Sequence, residues 1–452
     1  MKSTLIKNAT LVNEGERRAV ALLIEGERVA RIWPSGQTPD ESPFDEVIDA
    51  TGQYLLPGAI DEHVHFREPG MTRKGDIATE SRAAAAGGVT SIMDMPNTSP
   101  QTITLEAWER KMALMAERSV VNYSAYFGAT NQNYDLFPLL DKRRVCGVKL
   151  FMGASTGDML VDRIESLRRI FGGTDLLIAA HCEDQNTIRE NTEYVRKEYI
   201  DVFDPRYTEE DLEMFFHSVI RSDEACYLSS ELAVRLAQEA GARLHIMHIS
   251  TARELELFSD APLARKRITA EVCVPHLIFD DYDYSTFGAR IKCNPAIKST
   301  EDREALRAAV DSGRVDSIAT DHAPHLLADK EGGPFKAASG MPSVQFSLVA
   351  MLNLFSVEKV VEKMAHAPAL MYGIQRRGFV REGYQADLVL VRPGGSPWTL
   401  TADQVLSKCG WSPYEGRTFH WTVERTFVNG NTAYAAGNVD DTCRGQELAF
   451  DH

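Results

Sequence analysis

Two histidines one residue apart, His63 and His65, close the run Asp61-Glu62-His63-Val64-His65, which follows an apolar stretch beginning at Pro57-Gly58. Side chains alternate between faces in an extended chain, so the pair can hold one metal ion at the end of a strand. A bare His-x-His is as readily a surface or core pair, and its weight comes from the residues that accompany it. Later apolar runs carry similar chemistry: Lys149 in Gly147 to Phe151, His181 after Leu176, His248 after Leu244, and Asp321 after Asp316 to Thr320. Each alone could be a satisfied core histidine or a buried ion pair. Six such residues at one place could not all be buried unpaired.

Lys149 needs a separate account, because a protonated amine repels a cation. Reaction with carbon dioxide turns it into a carbamate, an anionic two-oxygen ligand able to bridge two metal ions. Two divalent ions sharing a hydroxide acidify water and polarise a carbonyl together. Asp321 could take a proton from that hydroxide and return it to a leaving nitrogen, as ligand and general acid/base at once. The chemistry is metal-assisted amide hydrolysis or its reverse.

The elements that must position these residues are strands alternating with helices, the pattern of a parallel sheet with crossover helices. Eight strands are expected: Ala59 to His65, Val89 to Met95, Val120 to Phe127, Gly147 to Phe151, Leu176 to His181, Leu244 to Ile249, Ile268 to Val274 and Asp316 to Thr320. That count predicts an α/β fold, a (β/α)8 TIM barrel over residues 57–377, whose sites lie at the carboxyl ends of the strands. The helices include Ile77 to Ala86 before Gly87-Gly88, Leu105 to Arg118, and Glu224 to Ala240 before Gly241. Short strand-like runs fill residues 1–56, and strand and turn texture returns over 378–452. The two flanking segments are expected to form one small β-sandwich domain. The loops Gly153 to Leu160 and Leu326 to Ser339, rich in Gly, Ala and Ser, read as lids or as ordinary surface connections.

With 452 residues, 44% hydrophobic and 25% charged, the chain is long enough for one large domain and an appendage. A formal net charge of −16 argues against nucleic-acid or anionic-membrane partners. No apolar stretch approaches a membrane span and the polar start lacks a signal peptide's apolar core, which points to the cytoplasm. Seven cysteines without Cys-x-x-Cys spacing read as reduced thiols.

The run Leu55-Leu56-Pro57-Gly58-Ala59-Ile60-Asp61-Glu62-His63-Val64-His65 resembles the amidohydrolase superfamily in its cyclic-amidase branch. Phe66-Arg67-Glu68-Pro69-Gly70, Asp94-Met95-Pro96-Asn97-Thr98 and Ala319-Thr320-Asp321-His322-Ala323-Pro324-His325 narrow the resemblance to the dihydroorotase family, and Gly383 to Val389 resembles that family's closing β segment. The resemblance implies two zinc ions per chain, His63, His65 and Asp321 on one, His181 and His248 on the other, bridged by N6-carboxylated Lys149. It implies reversible cyclisation of N-carbamoyl-L-aspartate to L-dihydroorotate in pyrimidine biosynthesis, with Asp321 as general acid/base. Arg67, Asn97, Asn294 and His325 would contact this carboxylated small-molecule substrate. Arg67 could instead pair with Glu68 or Asp76 at the surface, Asn97 could serve as a turn residue, and His325 could cap a loop. His276 and His322 read as supporting residues. The run Ala337 to Pro342 follows the family's substrate loop loosely, matching at Gly340 and not at Ser339.

An allantoinase or a hydantoinase/dihydropyrimidinase would share every metal ligand and differ in the substrate shell. A non-catalytic superfamily scaffold would ordinarily have lost ligands, and all six are present. Helical faces around a barrel offer surfaces for a homo-oligomer.

Overall fold

The computed structural model describes residues 2–452 apart from 35, 38, 154–158, 201–207 and 211, with only the backbone at 395 and 396. Most of the expected lid Gly153 to Leu160 therefore lies outside the described residues. All eight expected strands form: Ala59–Val64, Val89–Asp94, Asn122–Ala125 continuing as Phe127–Gly128, Val148–Phe151, Ile178–His181, Leu244–Ile246, Ile268–Cys273 and Ser317–Ala319. Neighbours pair in parallel, in a three-stranded and a six-stranded sheet. The third strand joins the two, since Tyr126 N donates to Asp94 O at 3.1 Å and Phe127 N to Gly147 O at 3.1 Å. At the other edge Val64 bridges His322, and His65 N donates to His322 O at 2.8 Å, linking the last strand's end to the first. These strands are rich in apolar residues because both their faces are buried.

Helix Ile77–Ala86 begins at Asp76, whose side chain accepts from Thr79 N, and Asp223–Ala240 ends at left-handed Gly241. Gly87 ends its helix for another reason. Its φ is −85°, and a Cβ would lie 2.6 Å from Gln345 O, so glycine is required by close approach and not by a left-handed turn.

The terminal segments meet in one nine-stranded sheet. Its joint is Tyr54–Pro57, parallel to Ser3–Asn13 on one side and antiparallel to Leu388–Thr399 on the other. Leu22, Leu55, Leu388, Leu390 and Phe427 pack in a core drawn from both ends of the chain. Gly58 N then donates to Asp387 O at 2.9 Å, so the sheet anchors the strand that carries His63 and His65. All seven cysteines are free, and no helix among the described residues is long and apolar enough to cross a membrane.

Candidate metal and substrate site

The carboxyl ends of the parallel strands enclose a cavity of about 400 Å³ that all six expected metal ligands line. His63 and His65 emerge on one side of their strand, as alternation requires, with Nε2 atoms 3.3 and 3.1 Å from Asp321 Oδ1. His181 Nδ1 and His248 Nε2 face each other at 2.9 Å, and the His248 ring lies 5.2 Å from that of His63. Burial lowers the pKa of both rings.

The remaining ring nitrogens fix the tautomers. His63 Nδ1 lies 2.8 Å from Glu271 Oε1, His65 Nδ1 2.8 Å from Asn97 Oδ1, and His181 Nε2 2.9 Å from Glu183 Oε2. An N–H toward each acceptor leaves the opposite nitrogen's lone pair for a cation. Burial pushes Asp321 up, but His63 and His65 outweigh it and hold its carboxyl at about 2, so it is ionised. Burial pushes Lys149 down to about 8, and its Nζ lies 2.9 Å from Met247 Sδ and 4.7 Å from the centroid of the Phe151 ring. An amine so easily deprotonated fits carbamate formation. Imidazole lone pairs, one carboxylate and a carboxylatable amine suit zinc and similar divalent ions.

Arg67, His248 and Asp321 all adopt left-handed backbone, with φ of 66°, 40° and 46°. Each such non-glycine residue costs on the order of 1–3 kcal/mol, a strain typical of sites where side chains are aimed by their surroundings.

Arg67, which lines the same cavity, is only 6% exposed, with Nε donating to Pro324 O at 3.1 Å and Nη2 3.0 Å from His325 Nε2. The surface-pair alternative fails. Glu68 accepts from Ile77 N and Arg118, and Asp76 from Thr79 N and Lys408. Asn97 and Asn294 also line the cavity, and Ser339 Oγ donates to Asn294 Oδ1 at 3.0 Å. Gly340 has φ 120°, and a Cβ there would lie 2.7 Å from Ala323 O. The loop that carries it is tied down: Lys330, 6% exposed, donates to Lys292 O, Ala338 O and Gly340 O at 3.1, 2.6 and 2.7 Å.

His276 contacts Pro295 O at 3.1 Å, and His322 Nε2 lies 2.8 Å from Glu80 Oε2 while Nδ1 accepts from Ser343 N at 3.0 Å. Both support neighbouring loops. The sequence reading missed Glu271, Glu183, Lys74, Arg221 and Trp411. Glu183 stands two residues after His181, the spacing that linked His63 to His65, and Glu271 interrupts an apolar strand; those were the available signals.

A model described as amidohydrolase family matches residues 54–433. A dihydroorotase of Halobacterium salinarum is 34% identical over 444 residues, covering 96% of this chain and 97% of that protein. An allantoinase of Bacillus velezensis is 30% identical over 446 residues, covering 96% and 94%. Among solved structures, an L-hydantoinase (dihydropyrimidinase) of Arthrobacter aurescens superimposes with a TM-score of 0.91 at 26% identity, covering 99% of this chain and 100% of that one.

Proposed function

The chain belongs to the amidohydrolase family, and from that premise we propose that it is a dihydroorotase, interconverting N-carbamoyl-L-aspartate and L-dihydroorotate. The observation that carries this choice is Arg67. A guanidinium with no carboxylate in ion-pair contact among the described residues lines the same cavity as the expected metal ligands, where an exocyclic carboxylate would complete it. Neutral cyclic amides offer it no such group.

In this reading the eight parallel strands and their helices, residues 57–377, are a (β/α)8 barrel, and 1–56 with 378–452 form the β-sandwich domain. The enzyme would act in the cytoplasm. His63, His65 and Asp321 would hold one zinc ion, His181 and His248 a second, and carboxylated Lys149 would bridge them. When bound, the ions supply Lewis acidity to the ring carbonyl and acidify water. Asp321 accepts the proton released as water's oxygen bonds to the carbonyl carbon, and delivers it to the ring nitrogen as the carbon–nitrogen bond breaks. Arg67 and His325 bind the carboxylate, with Asn97 and Asn294 beside it, and the reverse path closes the ring.

The allantoinase relative at 30% identity supports a second reading with the same metal ligands and a different ring. Metal content by elemental analysis should be coupled to turnover of L-dihydroorotate, allantoin and hydantoin on one sample. Two zinc ions with turnover of dihydroorotate are expected. Turnover of allantoin or hydantoin alone would refute the substrate assignment.

A further inference from the structure

His325 sits between two cations. Its Nε2 lies 3.0 Å from Arg67 Nη2, and its Nδ1 lies 3.1 Å from Lys74 Nζ. Guanidinium and ammonium are donors only, whereas a neutral imidazole has one lone pair and one N–H. One of the two contacts therefore sets donor against donor. Protonating the imidazole would add a second N–H and worsen the conflict, and burial with the charges of Arg67 and Lys74 drives its pKa down.

Carboxylates act on both cations from a distance, Asp321 on Arg67 and Asp329 on Lys74, without ion-pair contact. Among the described residues no carboxylate forms an ion pair with Arg67 or Lys74. The carboxylate beside His325 Nδ1 is Asp329, 3.9 Å away, and it already accepts from Arg73 at 2.7 Å. Arg221, another cation on the cavity wall, is bound to Glu183. An excess of donors in a pocket calls for an anion with several lone pairs. A carboxylate has about four, enough to take N–H groups from Arg67 and Lys74 and leave His325 with a single consistent tautomer.

We propose that Lys74 is a substrate-binding residue that sets specificity: together with Arg67 it forms a two-cation clamp, bridged by His325, for the substrate's exocyclic carboxylate. The proposal deepens the dihydroorotase reading and rests on it for the identity of the carboxylated ring. Lys74 is half-buried in a loop, with no part in the parallel sheets, so its replacement leaves the metal ligands in place.

The test compares wild type, Lys74→Met and Lys74→Arg in turnover of L-dihydroorotate, and in inhibition by orotate and by uracil, the same ring without the carboxylate. Loss of one charge-assisted contact should raise KM for dihydroorotate and the inhibition constant of orotate by roughly ten- to hundredfold. The expected Lys74→Met keeps kcat within about threefold, retains its metal and binds uracil as wild type does, while Lys74→Arg recovers most of the loss. Orotate binding unchanged in Lys74→Met, or orotate and uracil weakened equally, would overturn the role. The two readings separate cleanly. Wild type that binds orotate through Lys74 but fails to turn over dihydroorotate would refute the dihydroorotase assignment alone, and wild type with no preference for orotate over uracil would refute the clamp.

Discussion

Replacing Glu271 with glutamine preserves its shape, removes its charge and should weaken metal binding while sparing the fold. Oε1 accepts from His63 Nδ1 at 2.8 Å, His248 N at 3.0 Å and Cys273 Sγ at 3.3 Å. A glutamine carbonyl can keep those contacts. Oε2 has no hydrogen-bond partner among the described residues and lies 3.7 Å from His245 Nε2, likewise unpartnered there, so an amide NH₂ placed there gains an acceptor. Nearby Glu62 is also relieved, because burial and then the charge of Glu271 hold its carboxyl well above the usual range. Stability should therefore change little. The candidate metal ligand His63 fares differently. Its Nδ1–H loses a charged acceptor, and a hydrogen bond to a charged group contributes ~1.5–3 kcal/mol against ~0.5–1.5 for a neutral one. The loss of about 1–2 kcal/mol, taken with reduced imidazole basicity, corresponds to roughly ten- to hundredfold weaker metal affinity. Chelator competition read by elemental analysis gives the affinity, and calorimetry of the chelated protein gives the midpoint, expected within ~3 °C of wild type. Metal affinity unchanged within threefold would refute the role of Glu271. A collapsed midpoint in the chelated protein would show that its charge supports the fold instead.

Asp321→Asn should lower kcat by roughly 10²–10⁴-fold by removing the proton carrier, with metal content by elemental analysis largely kept; turnover near wild type would dismiss the assigned role. For Lys149, burial places the amine's pKa at about 8, and the reactive neutral form exists above that value. Its fraction rises from about one-tenth at pH 7 to about nine-tenths at pH 9. Reactivation of chelated protein by zinc at fixed dissolved carbon dioxide should accordingly accelerate with pH and level off above pH ~9, whereas a rate still climbing beyond pH ~10 would indicate an ordinary lysine.

The parallel strands were legible because burial on both faces writes them as unbroken apolar runs between turn residues. Their ends were not, because apolarity marks burial and not pairing. Leu244 to Ile249 reads as one strand, yet the ladder stops at Ile246, and the chain then turns to give His248 a φ of 40°. Thr320 falls outside its ladder in the same way, just before Asp321 turns left-handed. The deviations mark places where pairing yields to the aiming of a ligand. Tyr54–Pro57 was hidden for another reason: it reads as the lead-in to Ala59, and its partner Leu388–Thr399 lies at the far end of the chain.

That the six candidate ligands would gather was legible because imidazole, amine and carboxylate are out of place at the ends of apolar strands, and all six line one cavity. The groups that orient them were only half legible. Alternation pairs His181 with Glu183 as it pairs His63 with His65, but nothing in the sequence says that Glu271 reaches His63 from another strand. Loop residues were illegible, since Trp411 reaches His325 O at 2.7 Å, and Lys74 reaches its ring, only through the tertiary fold. Net charge misleads in the same way. A charge of −16 argues against polyanionic surfaces as partners, yet the cavity gathers Arg67, Lys74, Lys149 and Arg221. Both hold because surface charges are screened beyond about 8–10 Å at ordinary ionic strength, while buried groups are screened far less. The field that a bound carboxylate meets is set by the few side chains around it, so an acidic protein can select an acidic substrate.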